Sequence, residues 1–367
     1  MVNVQSSGVV YRNPKPWLRA QHAWHPCISQ LPDGELVASF DLAQAVEAMD
    51  YRTWVARSTD GGVTWSAPQR LFSDAVQPTT HTVRTSVVGG QMVGIGTRAY
   101  RDDPEQGTLN HENLGYTKTD VILLRSADAG RTWSDPQVIV PPLEGPSFEV
   151  CHSIVELADG RWLWPCATWK GWDGQAPNGM KAIAFVSHDQ GATWPEYLDV
   201  ADEFSRGVIH WEQSLKQLSD GRLVAVTWRY NQNTAKTEPS TYVISSDGRT
   251  FTKPTPTGFL AQTCKLCVVG ANRLLAIYRR DDEPGLWANT VELDGDRWIN
   301  GEATPLWRGA SSGMAGGRGA QGSSDDLSGL KFGFPSSVLL PGGDVLCVHW
   351  RENDAVNEIA WIRIGLS

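Results

Sequence analysis

An all-β, six-bladed β-propeller is the fold the sequence predicts, and three observations predict it. The stretch Ile209 to Arg229, IHWEQSLKQLSDGRLVAVTWR, reads as two short strands joined at Asp220-Gly221, alternating and rich in β-branched residues like a half-buried hairpin. Variants of that hairpin recur with turns at Asp33-Gly34, Gly89-Gly90, Asp159-Gly160, Ala271-Asn272 and Gly342-Gly343. Intervals of 51 to 71 residues between the turns let six units fill all 367 positions, which is how a radial repeat is spaced.

Taken in order, the first strand-like piece, Ser7 to Pro14, precedes the first hairpin, and the last unit, Phe332 to Ile364, supplies only three strands. Closing a ring removes exposed sheet edges, so the amino-terminal piece is expected to complete the last blade, making residues 1–367 one propeller domain. Blade one runs from His25 to Pro68 and ends in Ser58-Thr-Asp60-Gly-Gly62-Val-Thr64-Trp65. The same logic returns as Ser126-Ala-Asp128-Ala-Gly130-Arg-Thr132-Trp133, as Ser187-His-Asp189-Gln-Gly191-Ala-Thr193-Trp194, and in worn form as Ser245-Ser-Asp247-Gly-Arg-Thr250-Phe251. Asp and Ser/Thr side chains can hold a tight turn through backbone bonds, Gly permits a positive φ, and Trp fills the space between sheets. These are structural staples. The segment from Arg308 to Leu330 is Gly- and Ser-rich, links blades five and six, and reads either as a lid over the pocket face or as a plain linker.

Composition narrows the function classes. A net charge of −9 and a pI near 5.4 argue against nucleic acid and anionic membrane surfaces as partners. The amino terminus lacks a basic start followed by an apolar core, and no run is long enough to span a bilayer, so the expected location is cytoplasmic. Six cysteines fall mostly inside expected strands, with Cys264-Lys-Leu-Cys267 the one pair at metal-ligand spacing. Reduced, buried thiols are expected, with no metal and no cofactor.

Chemistry is sought at the hairpin ends that meet at the ring's axis. Eight residues after the turn position stand Arg98, Arg229, Arg280 and Arg351, either a cationic rim for a carboxylate or arginines paired with nearby acids. Nine residues before it stand His25, His81, Cys151, Glu212, Thr263 and Phe334, with Glu149 and His210 two further back and Trp211 beside Glu212. Ionisable groups at inner strand ends are costly to desolvate unless paired, so a pocket is expected there. Long loops at Ala99 to Lys118, Trp169 to Met180 and Tyr230 to Pro239 would rise around its mouth and carry side chains suited to sugar rings.

The Ser-x-Asp-x-Gly-x-Thr-Trp motif is the Asp-box, or BNR repeat, and the whole chain resembles the sialidase (neuraminidase) superfamily of six-bladed propellers. The resemblance maps Glu212 onto the family's glutamate supporting a tyrosine nucleophile, and Arg229 onto an arginine of its carboxylate-gripping triad. It also exposes departures: the family's first triad arginine falls on Trp24-His25-Pro26, and the tyrosine falls on Phe334, which has no hydroxyl. The family's acid/base aspartate corresponds to Asp50, with Asp41 and Glu47 as rivals.

A phenyl ring cannot attack an anomeric carbon, so tyrosine-based double displacement is not expected unless Tyr51 or another residue substitutes. The expected function is a carbohydrate-active enzyme cleaving a glycosidic bond at a small acidic saccharide. As an inverting hydrolase it would use two carboxyls among Asp50, Glu149 and Glu212, with Arg229, Arg280, Arg98 and Arg351 as substrate cations and His81 and Trp211 lining the site. As a uronate lyase it would use His25, His81 or His210 as base. The alternative outside enzymes is a non-catalytic glycan- or protein-binding propeller.

Overall fold

The computed structural model describes residues 1–73, 78–280, 282–309 and 330–366. They fold into six antiparallel sheets arranged as the blades of a β-propeller. Blade one contains His22–Gln30, Leu36–Ala43, Arg52–Ser58 and Gln69–Arg70 from the axis outward. Blade two contains Thr79–Val88, Gln91–Tyr100, Thr119–Ser126 and Gln137–Ile139. In blade three the innermost strand is broken into Ser147–Glu149 and Val155–Glu156, both paired with Trp162–Trp169. Blades four and five begin at Val208–Gln217 and Gln262–Val268, and blade six at Phe332–Leu339. The innermost strands touch in circular order, so the sheets surround a common axis. Among the described residues no helix is long and apolar enough to cross a membrane.

Strand Val2–Tyr11 pairs along the outer edge of Val356–Leu366, so the start and end of the chain share blade six. This pairing covers Ile362 and Ile364, both buried, and leaves the chain's first strand as that blade's outer edge. Hydrophobic packing then runs between neighbouring blades: Trp162, Trp164 and Phe185 of blade three lie in one core with Ile95 and Leu123 of blade two.

The Asp-boxes behave as staples. In blade one, Ser58 Oγ donates to Asp60 at 2.8 Å, Thr64 Oγ1 donates to the same carboxylate at 2.6 Å, and the Gly62 amide donates to Ser58 Oγ. The motif's geometry repeats at Asp128 and Asp189, and the worn copy at Asp247 keeps its Ser245 and Thr250 bonds. These bonds, led by the threonine hydroxyl, hold Asp60 and Asp189 down at about 2.

A second fastening was not apparent in the sequence. An arginine of one blade donates to a turn carbonyl of the next: Arg363 to Gly61, Arg57 to Ala129, Arg125 to Gln190, Arg161 to Gly248 and Arg222 to Gly295. Five of the six blade junctions carry this clasp among the described residues. Arg57 also holds Glu35 through two bonds of 2.8 and 2.6 Å. Removing that guanidinium leaves a nearly buried carboxylate with Arg131, 3.3 Å away, as its one counter-ion among the described residues. Arg57→Ala is therefore expected to cost about 2–3 kcal/mol, read as a lowered urea midpoint with an unchanged slope.

Candidate active site

A cavity of about 550 Å³ opens at the ring's axis. The innermost strands of blades one, four and six deliver His25, Glu212 and Phe334 to it in an unusual way, which blade five repeats at Thr263 behind Glu212. His25, Glu212, Thr263 and Phe334 all have left-handed backbone, with φ of 49°, 45°, 51° and 51°. Each sits at a register shift, between Trp24 and Cys27, Trp211 and Ser214, Gln262 and Lys265, and Gly333 and Ser336. A bulge with one left-handed residue bends a strand and re-aims a side chain. Blade two lacks the bulge, and His81 sits there on a regular strand.

Two charged assemblies line the cavity. On the blade-one side, His25 Nδ1 is 2.6 Å from the Tyr51 hydroxyl, which donates to Asp41 Oδ2 at 3.0 Å. Asp41 is fully buried and also accepts from Thr53 at 2.6 Å, Thr82 at 2.7 Å and Arg84 at 3.2 Å. Burial opposes its ionisation, but Arg84, His25 and Thr53 outweigh burial and hold the carboxyl at about 2. Burial and the Asp41 charge push the Tyr51 phenol well above its ordinary range.

Across the cavity, Glu149 accepts from the Glu212 backbone amide at 3.3 Å, and Thr263 Oγ1 donates to Glu212 Oε2 at 2.6 Å. Burial, then the Glu212 charge, raises Glu149 to about 7 against the opposing pull of Lys265. Phe334 lies between the two assemblies, edge-on to His25 at 5.2 Å, with Arg84 and Lys265 over its ring at 4.9 and 5.2 Å.

The expected site residues separate into two groups. His25, His81, Glu149, Glu212 and Trp211 line the cavity together. Trp211 is backed by Trp169, stacked at 4.8 Å, and by Trp228 at 4.5 Å. His81 stacks on Phe72 at 4.1 Å, and burial, then Arg52, pushes its imidazole down to about 3. The four arginines are placed elsewhere, three of them by cross-strand pairing and Arg280 by acids of the adjoining turn. Arg98, Arg229 and Arg351 lie directly opposite Asp120, Glu238 and Glu358 on the third strands of their blades and form ion pairs with them. Arg280 pairs with Asp282 at 2.6 Å and Glu283 at 3.0 Å. None of these four lines the cavity.

His210 is also outside it, fully buried between Thr227 at 2.9 Å and Glu203 at 3.0 Å; burial depresses its imidazole despite the glutamate. Asp50 is exposed and accepts from the Gln44 amide, whereas Glu47 of the same loop lines the cavity and binds Thr108 and Leu109. Most of the segment proposed as lid or linker lies outside the described residues; its end, Leu330, lines the cavity.

The sequence reading missed Arg84 and Lys265. Arg84 and Lys265 are charges in the middle of innermost strands, beside the buried Val83 and Leu266, and a charge at such a position was the available signal. Arg101 comes from the long blade-two loop; its Nη2 donates to the carbonyls of Glu47 and Gln106, while its Nε and Nη1 have no hydrogen-bond partner.

Comparison with known proteins adds to this geometry. Residues 107–344 match the family described as a BNR repeat-like domain. The chain belongs to this family. Its six blades form a propeller like those of the sialidase structures it resembles. It is 26% identical over 247 residues to a sialidase of Micromonospora viridifaciens, a match spanning 61% of this chain and 34% of that protein. Among solved structures it resembles a protein of unknown function from Dyadobacter fermentans, with a TM-score of 0.73, 22% identity and coverage of 100% and 99%. It also resembles the Trypanosoma rangeli sialidase in complex with 2,3-difluorosialic acid, with a TM-score of 0.63, 15% identity and coverage of 99% and 59%.

In this BNR repeat-like propeller, Glu149 makes stability depend on pH in a defined direction. Its folded value of about 7 lies above the ordinary glutamate value of about 4.3. The folded state therefore holds this proton more tightly, and that contribution, complete below about pH 4, is lost as pH rises through 7. The expected outcome is a fall in urea stability between pH 5 and pH 8 that is smaller in Glu149→Gln.

Proposed function

We propose that the protein is a glycoside-cleaving enzyme that works on a small acidic saccharide in the axial cavity, with Glu149 as proton donor and Glu212 as the partner carboxylate. The observation that carries this reading is the Glu149–Glu212 pair itself. One carboxyl is raised to about 7 by burial and by the charge of its neighbour, so near neutral pH it can hold a proton and release it. Protonation of the leaving oxygen by Glu149 and activation of a water by Glu212 give a single displacement, which inverts the anomeric centre.

Arg101 is the cavity cation that supports an acidic substrate: it lines the cavity with Nε and Nη1 lacking partners, whereas Arg98, Arg229, Arg280 and Arg351 are ion-paired and lie outside it. A bound carboxylate would hold Glu149 protonated more firmly, in the direction a general acid requires. The aromatic wall formed by Trp24, Trp211, Trp350 and Phe334 suits the faces of a sugar ring.

A second reading is favoured by one further contact, that of His25 Nδ1 with the Tyr51 hydroxyl. A β-eliminating lyase needs a base for the proton beside a uronate carboxylate and an acid for the leaving oxygen, and His25 and Tyr51 could divide those roles.

Thermal stabilisation by sialic acid, glucuronate, galacturonate and their neutral counterparts identifies the sugar. Glycosides of that sugar then test the chemistry. Glu149→Gln and Glu212→Gln are expected to reduce kcat by about a thousandfold each while sugar-dependent stabilisation persists, and Arg101→Met to weaken the acid more than its neutral counterpart. Proton NMR of the first-formed anomer reads inversion. Full turnover in both carboxyl variants, or an unsaturated uronate as product, would sink the hydrolase assignment.

A further inference from the structure

A smaller cavity of about 60 Å³ adjoins the axial one and shares Arg84 and Phe334 with it. Its lining contains Arg84, Lys216, Lys265 and His152, with serine hydroxyls from blades three, four and six, and no carboxylate among the described residues. Lys265 Nζ is occupied by the carbonyls of Cys151 and Gln213, both at 2.9 Å, and of Glu212 at 3.4 Å. Arg84 is buried, binds Asp41 through Nη1 and leaves Nε without a partner. Among the described residues Lys216 forms no ion pair and no side-chain hydrogen bond.

Asp41 pairs with Arg84 from outside the lining, and the lining itself supplies no anion to Lys216. The thiols of Cys27 and Cys151 are pushed up by burial and stay protonated, and the His152 imidazole is held neutral by burial and the two lysines. Burial, and repulsion from Lys265, also depress the Lys216 ammonium. Partly buried cations without a counter-ion are costly, and the cost is offset by an anion placed among them. The space is about a ninth of the axial cavity's, which fits a small anion with its waters rather than a sugar.

We propose that this chamber is a halide site in which chloride, or bromide in its place, is held by Lys216, Arg84 and the serine hydroxyls on the channel axis. The site is independent of the saccharide assignment, because it needs no substrate and is read without turnover.

The test is thermal unfolding of the full chain at constant ionic strength, with sodium gluconate exchanged for sodium chloride or sodium bromide. The expected result is a saturable rise of several degrees at millimolar halide in the wild type, absent in Lys216→Met. Crystals grown in bromide are expected to show an anomalous peak within hydrogen-bond distance of Lys216 Nζ. A response that is unsaturated at molar halide, equal in Lys216→Met, or produced by sulfate and phosphate alone would overturn the proposal. If Lys216→Met does not fold, the bromide peak in the wild type decides: present it supports the site, absent it overturns it.

Discussion

Closure of the ring is the constraint on which every functional contact rests. The axial cavity has no wall of its own; each side is the inner edge of a different blade, so His25, Glu149, Glu212 and Phe334 meet only because six sheets are held around one axis. Two kinds of bond secure that arrangement. Strand pairing of Val2–Tyr11 with Val356–Leu366 ties the chain's beginning to its last blade, and the arginine clasps fix one blade to the next near the turns. At the junction of blades five and six, the arginine that crosses is Arg279, which donates to the Phe332 carbonyl two residues before Phe334.

Charge in the interior is distributed by the same logic. Blade one gathers a buried carboxylate, Asp41, and satisfies it with four hydroxyl and guanidinium donors, which keeps it ionised. Blades three and four bring two carboxyls together without an equivalent set of donors, so one of them retains its proton near neutral pH. The contrast between these two environments, facing each other across Phe334, is what gives the cavity groups of opposite proton affinity.

Much of the fold was legible in the sequence because its signals are local. The turn glycines, the alternation in each hairpin and the Asp-box residues act within a few positions of one another, so Asp60, Asp128, Asp189 and Asp247 could be assigned before any contact was known. The site was legible in part. Counting back from the turns found His25, His81, Glu149 and Glu212, since that count follows strand geometry. Counting forward to the arginines found a repeated position but not its surroundings, because Asp120, Glu238 and Glu358 lie on third strands separated from them by loops of different lengths. Tyr51, Arg84 and Arg101 stand at no repeated offset: Tyr51 meets His25 and Asp41 from two other strands of its own blade, Arg84 meets Asp41 of the neighbouring blade, and Arg101 meets loop carbonyls.

The left-handed bulges at His25, Glu212, Thr263 and Phe334 have a consequence for how such a propeller can change over time. Imidazole, carboxylate, hydroxyl and phenyl groups occupy equivalent corners of the four blades, each on a backbone conformation that would suit glycine best, yet none of them is glycine. The frame thus behaves as a set of interchangeable sockets whose cost is set by the main chain rather than by the group installed. Substitution at a socket can exchange a nucleophile for an inert ring, or a hydroxyl for an acid, while the hairpin that carries it remains the same hairpin. Reaction type can drift in this architecture without a corresponding drift in shape.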